Sequence, residues 1–228
     1  MPFRAVTFDV YSALFDIVSG LTDAVGDLFA RRGIRDDAAA VARLWRRKHM
    51  EYLLVANALD REPASNRRAI ESSARYALRG LTPVPQAADL AALAGAWERL
   101  PPWPETVAVL AEVRRRPLVL AALSNGDEDA LRALLATLPV TFDHIISTEG
   151  GKFKPHPSVY QGTLARLGVR SDELLHVAGS ATDAMGATAA GIRTVWVNRA
   201  RDAVVDARLA PAHEVLDLRG VVPLLDGP

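Results

Sequence analysis

Arg4-Ala5-Val6-Thr7-Phe8-Asp9-Val10-Tyr11-Ser12-Ala13-Leu14-Phe15-Asp16 begins with a short, mostly apolar run that stops at a carboxylate. Four further runs share this texture, at 118–123, 143–147, 174–178 and 193–197, each bounded by charge, Gly or Pro. Runs of this length suit strands buried on both faces, as in a parallel sheet. Between the later ones lie helical stretches at 127–136 after Gly126, at 157–167 from Pro157, and at 183–191 after Gly179-Ser180. Strands alternating with such helices read as right-handed βαβ units.

Residues 17–99 contain no comparable run. Val41, Leu44, Trp45, Met50, Tyr52, Leu53 and Leu59 supply an apolar face to a helix over 38–59, and Ile70, Ala74, Ala77 and Leu78 mark another over 66–79. Pro101, Pro102 and Pro104 then forbid a continuing helix. The expected fold is α/β: a doubly wound, mostly parallel Rossmann-like sheet with an inserted helical cap. Residues 1–16 and 100–228 form the sheet domain, and 17–99 form a lid over the carboxyl edge of the strands.

The chain has 228 residues, 50% of them hydrophobic, with 27 basic and 27 acidic side chains. A chain of this length buries roughly 70% of its unfolded surface. Balanced charge argues against a nucleic-acid partner, which would select a basic excess. With no cysteine, thiolate metal sites and thiol nucleophiles are excluded. No apolar stretch approaches the ~18 residues of a membrane span. The Met1-Pro2-Phe3 start is too short in its apolar part for a secretory leader, so a cytoplasmic protein is expected. His49, His144, His156, His176 and His213 show no metal-ligand spacing, and none is read as a ligand. Only Lys48, Lys152 and Lys154 are lysines, although basic residues are plentiful.

Ligands of open α/β sheets bind beyond the carboxyl ends of the strands. The first strand ends at Asp9 and the second at Ser124-Asn125-Gly126. Lys152-Phe153-Lys154-Pro155-His156-Pro157, with Tyr160 one turn further, follows the third; Ala178-Gly179-Ser180-Ala181-Thr182-Asp183 follows the fourth. Two carboxylates, a lysine and a Ser-Asn turn therefore converge on one edge. An aspartate there can act as a covalent nucleophile if a nearby ammonium such as Lys154 keeps it ionised.

Asp9-Val10-Tyr11, Ser124-Asn125, Lys154-Pro155-x-Pro157-x-x-Tyr160 and the segment ending in Asp183 resemble, in order, the four motifs of the haloacid dehalogenase superfamily. Leu44-Trp45-Arg46-Arg47-Lys48, followed by Glu51-Tyr52, resembles the cap helix of its L-2-haloacid dehalogenase branch. The resemblance implies that Asp9 displaces halide from a short L-2-haloacid with inversion, and that water then cleaves the aspartyl ester with help from Asp183. It assigns Lys154, Ser124 and Tyr160 to the catalytic set, and Tyr11, Arg46, Asn125 and Ser180 to substrate or halide. It further implies a homodimer and no cofactor.

Departures from that pattern are specific. Ser12-Ala13 stands where the family has Gly-Thr, removing a hydroxyl at Ala13. Ala178 and Ser180 replace a serine and an asparagine, and Thr182 replaces a tryptophan. Plainer roles also fit: Asp183 as a first-turn helix carboxylate, Ser124 and Asn125 as turn formers, Arg43, Arg46 and Arg47 as a solvated face, Tyr11 and Tyr160 as packing residues. The alternative functions are an Mg²⁺-dependent phosphohydrolase of the same fold, a hydrolase of another 2-substituted carboxylate, and a non-catalytic member.

Overall fold

The computed structural model describes residues 3–59 and 65–226, so the reading of Met1-Pro2 and the part of the expected lid at 60–64 lie outside it. Strand β1 (Ala5–Phe8) is buried at every position, as a strand covered on both faces must be. It pairs in parallel with β2 (Val119–Ser124) on one side and β4 (Leu174–Ala178) on the other. With β3 (His144–Ser147), β5 (Arg193–Val197) and β6 (His213–Val215) the sheet has the order β3-β2-β1-β4-β5-β6. The order reverses between β1 and β4, the switch point where such sheets bind ligands. Asp9 stands at that point, its N–H donating to the Val177 carbonyl at 2.9 Å. The doubly wound α/β sheet expected from the apolar runs is present.

Helices α6 (Glu128–Leu135), α7 (Pro157–Leu167) and α8 (Ala181–Ala189) fill the later crossovers. Helix α8 starts at Ala181 rather than 183, because the Ser180 hydroxyl caps it by accepting the Asp183 N–H at 3.3 Å. Asp183 thereby enters the first helical turn. Helix α5 (Thr106–Arg114) and strand β6 carry no expectation from the sequence; β6 is three residues long, too short to display a period.

Between β1 and β2 the described residues are helical: α1 (Ile17–Arg32), α2 (Ala38–Leu59), α3 (Asn66–Leu78) and α4 (Ala87–Ala96). Val41, Trp45, His49 and Leu53 recur every four residues and form the buried stripe of α2. The two connections to the sheet run side by side, with the Trp103 N–H donating to Leu14 O at 3.1 Å and the Asp16 N–H to Pro101 O at 2.8 Å. Trp103 adds a bond from Nε1 to Ser12 O at 3.2 Å.

Two further ties link the helices to loops of the sheet. Asn57 accepts from the Phe153 N–H at 2.9 Å and donates to its carbonyl at 2.7 Å. Asp127, just past β2, accepts the first amides of α3, Asn66 and Arg67, both at 2.9 Å. A carboxylate at a helix N-terminus satisfies orphan donors and opposes the helix dipole. One apolar cluster spans both regions, including Phe8, Phe15, Leu28, Trp45 and Trp97.

After Asp9 the chain makes a wide turn over Val10–Leu14, closed by a bond from the Phe15 N–H to Val10 O at 3.2 Å. The loop after β4 packs directly on that turn. A Cβ at Gly179 would sit 2.3 Å from the Ala13 nitrogen and 2.5 Å from the Ser12 carbonyl carbon. Both are main chain and cannot rotate aside. Gly179→Ala is expected to cost about 1–3 kcal/mol, read as a lowered Tm in thermal unfolding.

Candidate active site

Lys154 holds the centre. Its Nζ donates to Asp9 Oδ1 at 2.9 Å, to Asp183 Oδ2 at 2.7 Å and to the Leu123 carbonyl at 2.9 Å. An ammonium has three N–H groups, and all three are engaged. Lys154, Asp9 and Asp183 are only 4%, 7% and 4% exposed. Burial favours the neutral lysine, but Asp183 and Asp9 outweigh it and raise its pKa. Burial likewise favours the neutral acid at Asp183, yet Lys154 and His176 hold its carboxyl well below the usual range.

Each carboxylate has further donors. The Ser12 Oγ donates to Asp9 Oδ2 at 2.8 Å and the Ser12 N–H to the same oxygen at 3.2 Å. The hydroxyl missing at Ala13 is thus supplied one residue earlier, on the wide turn that Asp9 caps. Tyr160 donates from its hydroxyl to Asp183 Oδ1 at 2.8 Å. His176 lies behind, with Nε2 at 3.1 Å from Asp183 Oδ2 and Nδ1 at 2.9 Å from the Thr7 hydroxyl.

The other expected residues fall around the same cavity, which is lined by Asp9, Tyr11, Arg46, Ser124, Asn125, Lys154, Ser180 and Asp183. Its free volume is about 30 Å³, room for one or two water molecules. The Ser124 hydroxyl is fully buried and has no hydrogen-bond partner in the protein. The side chain of Asn125 brackets the lysine loop instead, accepting the Lys154 N–H at 2.7 Å and donating to its carbonyl at 3.2 Å. Ser180 is the cap of α8. Tyr11 packs edge-on against Trp97 with ring centroids 5.2 Å apart, and burial, then Asp127, drives its pKa up.

Helix α2 supplies the roof through Arg46, His49, Met50 and Leu53. Arg43 and Arg47 point to solvent, but Arg46 turns inward. It donates to His49 Nδ1 at 2.8 Å, which leaves the hydrogen on Nε2 to donate to Asn66 Oδ1 at 2.8 Å. Burial, and secondarily Arg46, pushes the His49 pKa down to about 3, against the Asn66 bond, so the ring is neutral at pH 7. In sequence Ser12 is only one candidate to replace the hydroxyl lost at Ala13, with nothing there to show that it does, and His49, Thr7 and His176 carry no expected role in the site. The available signals were a histidine on the apolar stripe of α2 and another inside a buried strand, since buried polar groups need partners.

Removing the central cation should leave two buried carboxylates facing each other. Lys154→Met is expected to lower stability by about 3–5 kcal/mol at neutral pH. The acid limb follows from the depressed Asp183 pKa. Its stabilisation is complete above the unfolded value of about 3.9 and is lost as pH falls toward the folded value. Without Lys154 that depression shrinks, so the acid-unfolding midpoint followed by circular dichroism should move to higher pH.

The family model for haloacid dehalogenase-like hydrolases matches residues 3–191. An (S)-2-haloacid dehalogenase of Pseudomonas sp. (strain YL) is 32% identical over 226 residues, covering 98% of this chain and 94% of that one. The (S)-2-haloacid dehalogenase of Xanthobacter autotrophicus is 35% identical over 199 residues, covering 86% and 75% respectively. A solved structure of the L-2-haloacid dehalogenase from Xanthobacter autotrophicus, with chloropropionic acid covalently bound, matches with a TM-score of 0.85 at 29% identity, covering 99% of each chain. Asp9, Ser124, Lys154 and Asp183 all fall within the matched span, and the chain belongs to the haloacid dehalogenase-like hydrolases.

Proposed function

We propose that this protein hydrolyses the carbon–halogen bond of short L-2-haloacids through an ester on Asp9, giving 2-hydroxy acids with inversion at C2. The observation that carries the reading is one ammonium shared by two buried carboxylates; Tyr11, two residues after Asp9, offers no carboxylic acid to protonate a leaving alkoxide, and halide leaves without a proton. In the first step an Asp9 oxygen bonds to C2 while the C2–halogen bond breaks, and the electron pair leaves with the halide toward Arg46. Asn125 lies at the same wall of the cavity and is assigned to the halide as well. The unpartnered Ser124 hydroxyl donates to the substrate carboxylate. Tyr11 shapes the pocket, while Ser180 acts only through the start of α8.

In the second step water adds to the Asp9 carbonyl carbon and gives one proton to Asp183, which Tyr160 and Lys154 hold in place. When the ester C–O bond breaks, the alkoxide takes the proton from Asp183. Asp9 returns as carboxylate and one proton passes to solvent. Arg46 reaches the site only from α2, so residues 17–99 act as a lid over the sheet domain formed by 1–16 and 100–228. The small cavity requires that lid to part when substrate enters.

The donor set does not suit magnesium. Asp9 and Asp183 each commit an oxygen to Lys154, and Ala178, at the end of β4, adds no third carboxylate. The proposed reaction is therefore cofactor-free. A cytoplasmic homodimer belongs to the same proposal; Leu54, Val55 and Leu59, exposed along α2, favour a second chain there.

Incubation with L-2-chloropropionate or L-2-bromopropionate should release halide equally with and without EDTA; no halide from a panel of short 2-haloacids would overturn the reading. Asp183→Asn should trap a substrate adduct on Asp9, seen by intact mass. Ser12→Ala should lower kcat about tenfold, as loss of a positioned hydrogen bond to a reacting group does.

A further inference from the structure

His176 lies in the middle of β4, is wholly buried and is not used by the chemistry above. Burying an imidazole in a strand is costly unless both nitrogens are satisfied. Here they are. Thr7 and His176 are register partners on adjacent strands, so their side chains emerge on the same face of the sheet. That face also carries Asp9, two residues beyond Thr7. The Thr7 hydroxyl lies 2.9 Å from Nδ1, and Nε2 lies 3.1 Å from Asp183 Oδ2. The Tyr160 ring packs edge-on against the imidazole with centroids 6.1 Å apart.

An ionised carboxylate only accepts hydrogen bonds, so Nε2 must carry the hydrogen. A carboxylate has about four acceptor sites, two on each oxygen. On Asp183, Oδ2 takes Lys154 at 2.7 Å and His176 at 3.1 Å, while Oδ1 takes Tyr160 at 2.8 Å. Three sites are occupied and one remains, on Oδ1. We propose that His176 is a positioning residue for ester hydrolysis: by filling the second site of Oδ2 it leaves Oδ1 as the single place where Asp183 can bind the attacking water. Attack on C2 by Asp9 makes no use of that site. Without His176, Oδ2 gains a vacancy, the carboxylate can turn, and water is held in more than one place. The second step then slows and the first does not.

The proposal rests on the dehalogenase reading, and its test separates the two. Single-turnover experiments with enzyme in excess over L-2-chloropropionate follow halide release and ester decay, the latter by intact mass. In His176→Phe, ester decay should slow on the order of tenfold to a hundredfold, with the halide burst within about twofold of the parent. His176→Gln, which returns an N–H near the Nε2 position, should recover most of the hydrolysis rate. Equal slowing of both steps, no slowing, or no recovery in the Gln variant overturns the role while leaving the function intact. No halide from the parent enzyme overturns the function and the role with it. Nitrogen NMR of ¹⁵N-histidine-labelled parent protein needs no variant to fold. It should show hydrogen on His176 Nε2, and a ring protonated only at Nδ1 overturns the proposal.

Discussion

Three charges sit almost dry at the end of the central strands, and the arrangement persists because Lys154 donates to both carboxylates and to one carbonyl. An isolated charge in such a place would neutralise rather than remain ionised. Two carboxylates without the ammonium would push one another toward the protonated form. Much of the surrounding structure serves to hold that ammonium. Asn125 clamps the main chain of Lys154 on both sides, and the wide turn after Asp9 brings Ser12 back onto the nucleophile. Gly179 allows the β4–α8 loop to lie against that turn.

The helical region is fastened to the sheet through polar main-chain groups as well as apolar packing. Asp127 caps α3 from the sheet side, and Asn57 pairs with both polar groups of Phe153. The first tie continues into the site, because Asn66 also accepts from His49, and His49 accepts from Arg46. A neutral histidine between an amide oxygen and a guanidinium fixes the direction of the arginine without adding charge. The orientation of Arg46 is therefore coupled to docking of the helices on the sheet.

Much of this is legible in the sequence. Buried parallel strands are continuous apolar runs, and five of the six strands were readable for that reason; β6 is short and half exposed and shows no such run. Lysine scarcity singled out Lys154, because an arginine cannot stand in for a compact ammonium between two carboxylates. Asp9, Ser124 and Asp183 stand at strand and helix ends, where chain direction alone brings them to one edge, whereas Arg46, in the middle of α2, and Tyr160, one turn into α7, are singled out by the resemblance of their motifs. Asn125 and Ser180 were harder. An amide and a hydroxyl can bind a ligand or the main chain, and only their neighbours in space show that the Asn125 amide brackets Lys154 and that Ser180 caps α8.

Sequence by itself determined the α/β class, the insertion of helices after the first strand, and the residue types at the carboxyl edge. Each of these follows from local period or from position along the chain. Tertiary structure alone decided that Ser12 replaces the hydroxyl absent at Ala13, that Arg46 points inward while Arg43 and Arg47 do not, and that His176 reaches Asp183 from within β4. Those are hydrogen-bond pairings between side chains three or seven residues apart, which no local period specifies. Sequence states which donors and acceptors exist, whereas their pairing depends on distances of about 3 Å that only the packed chain establishes.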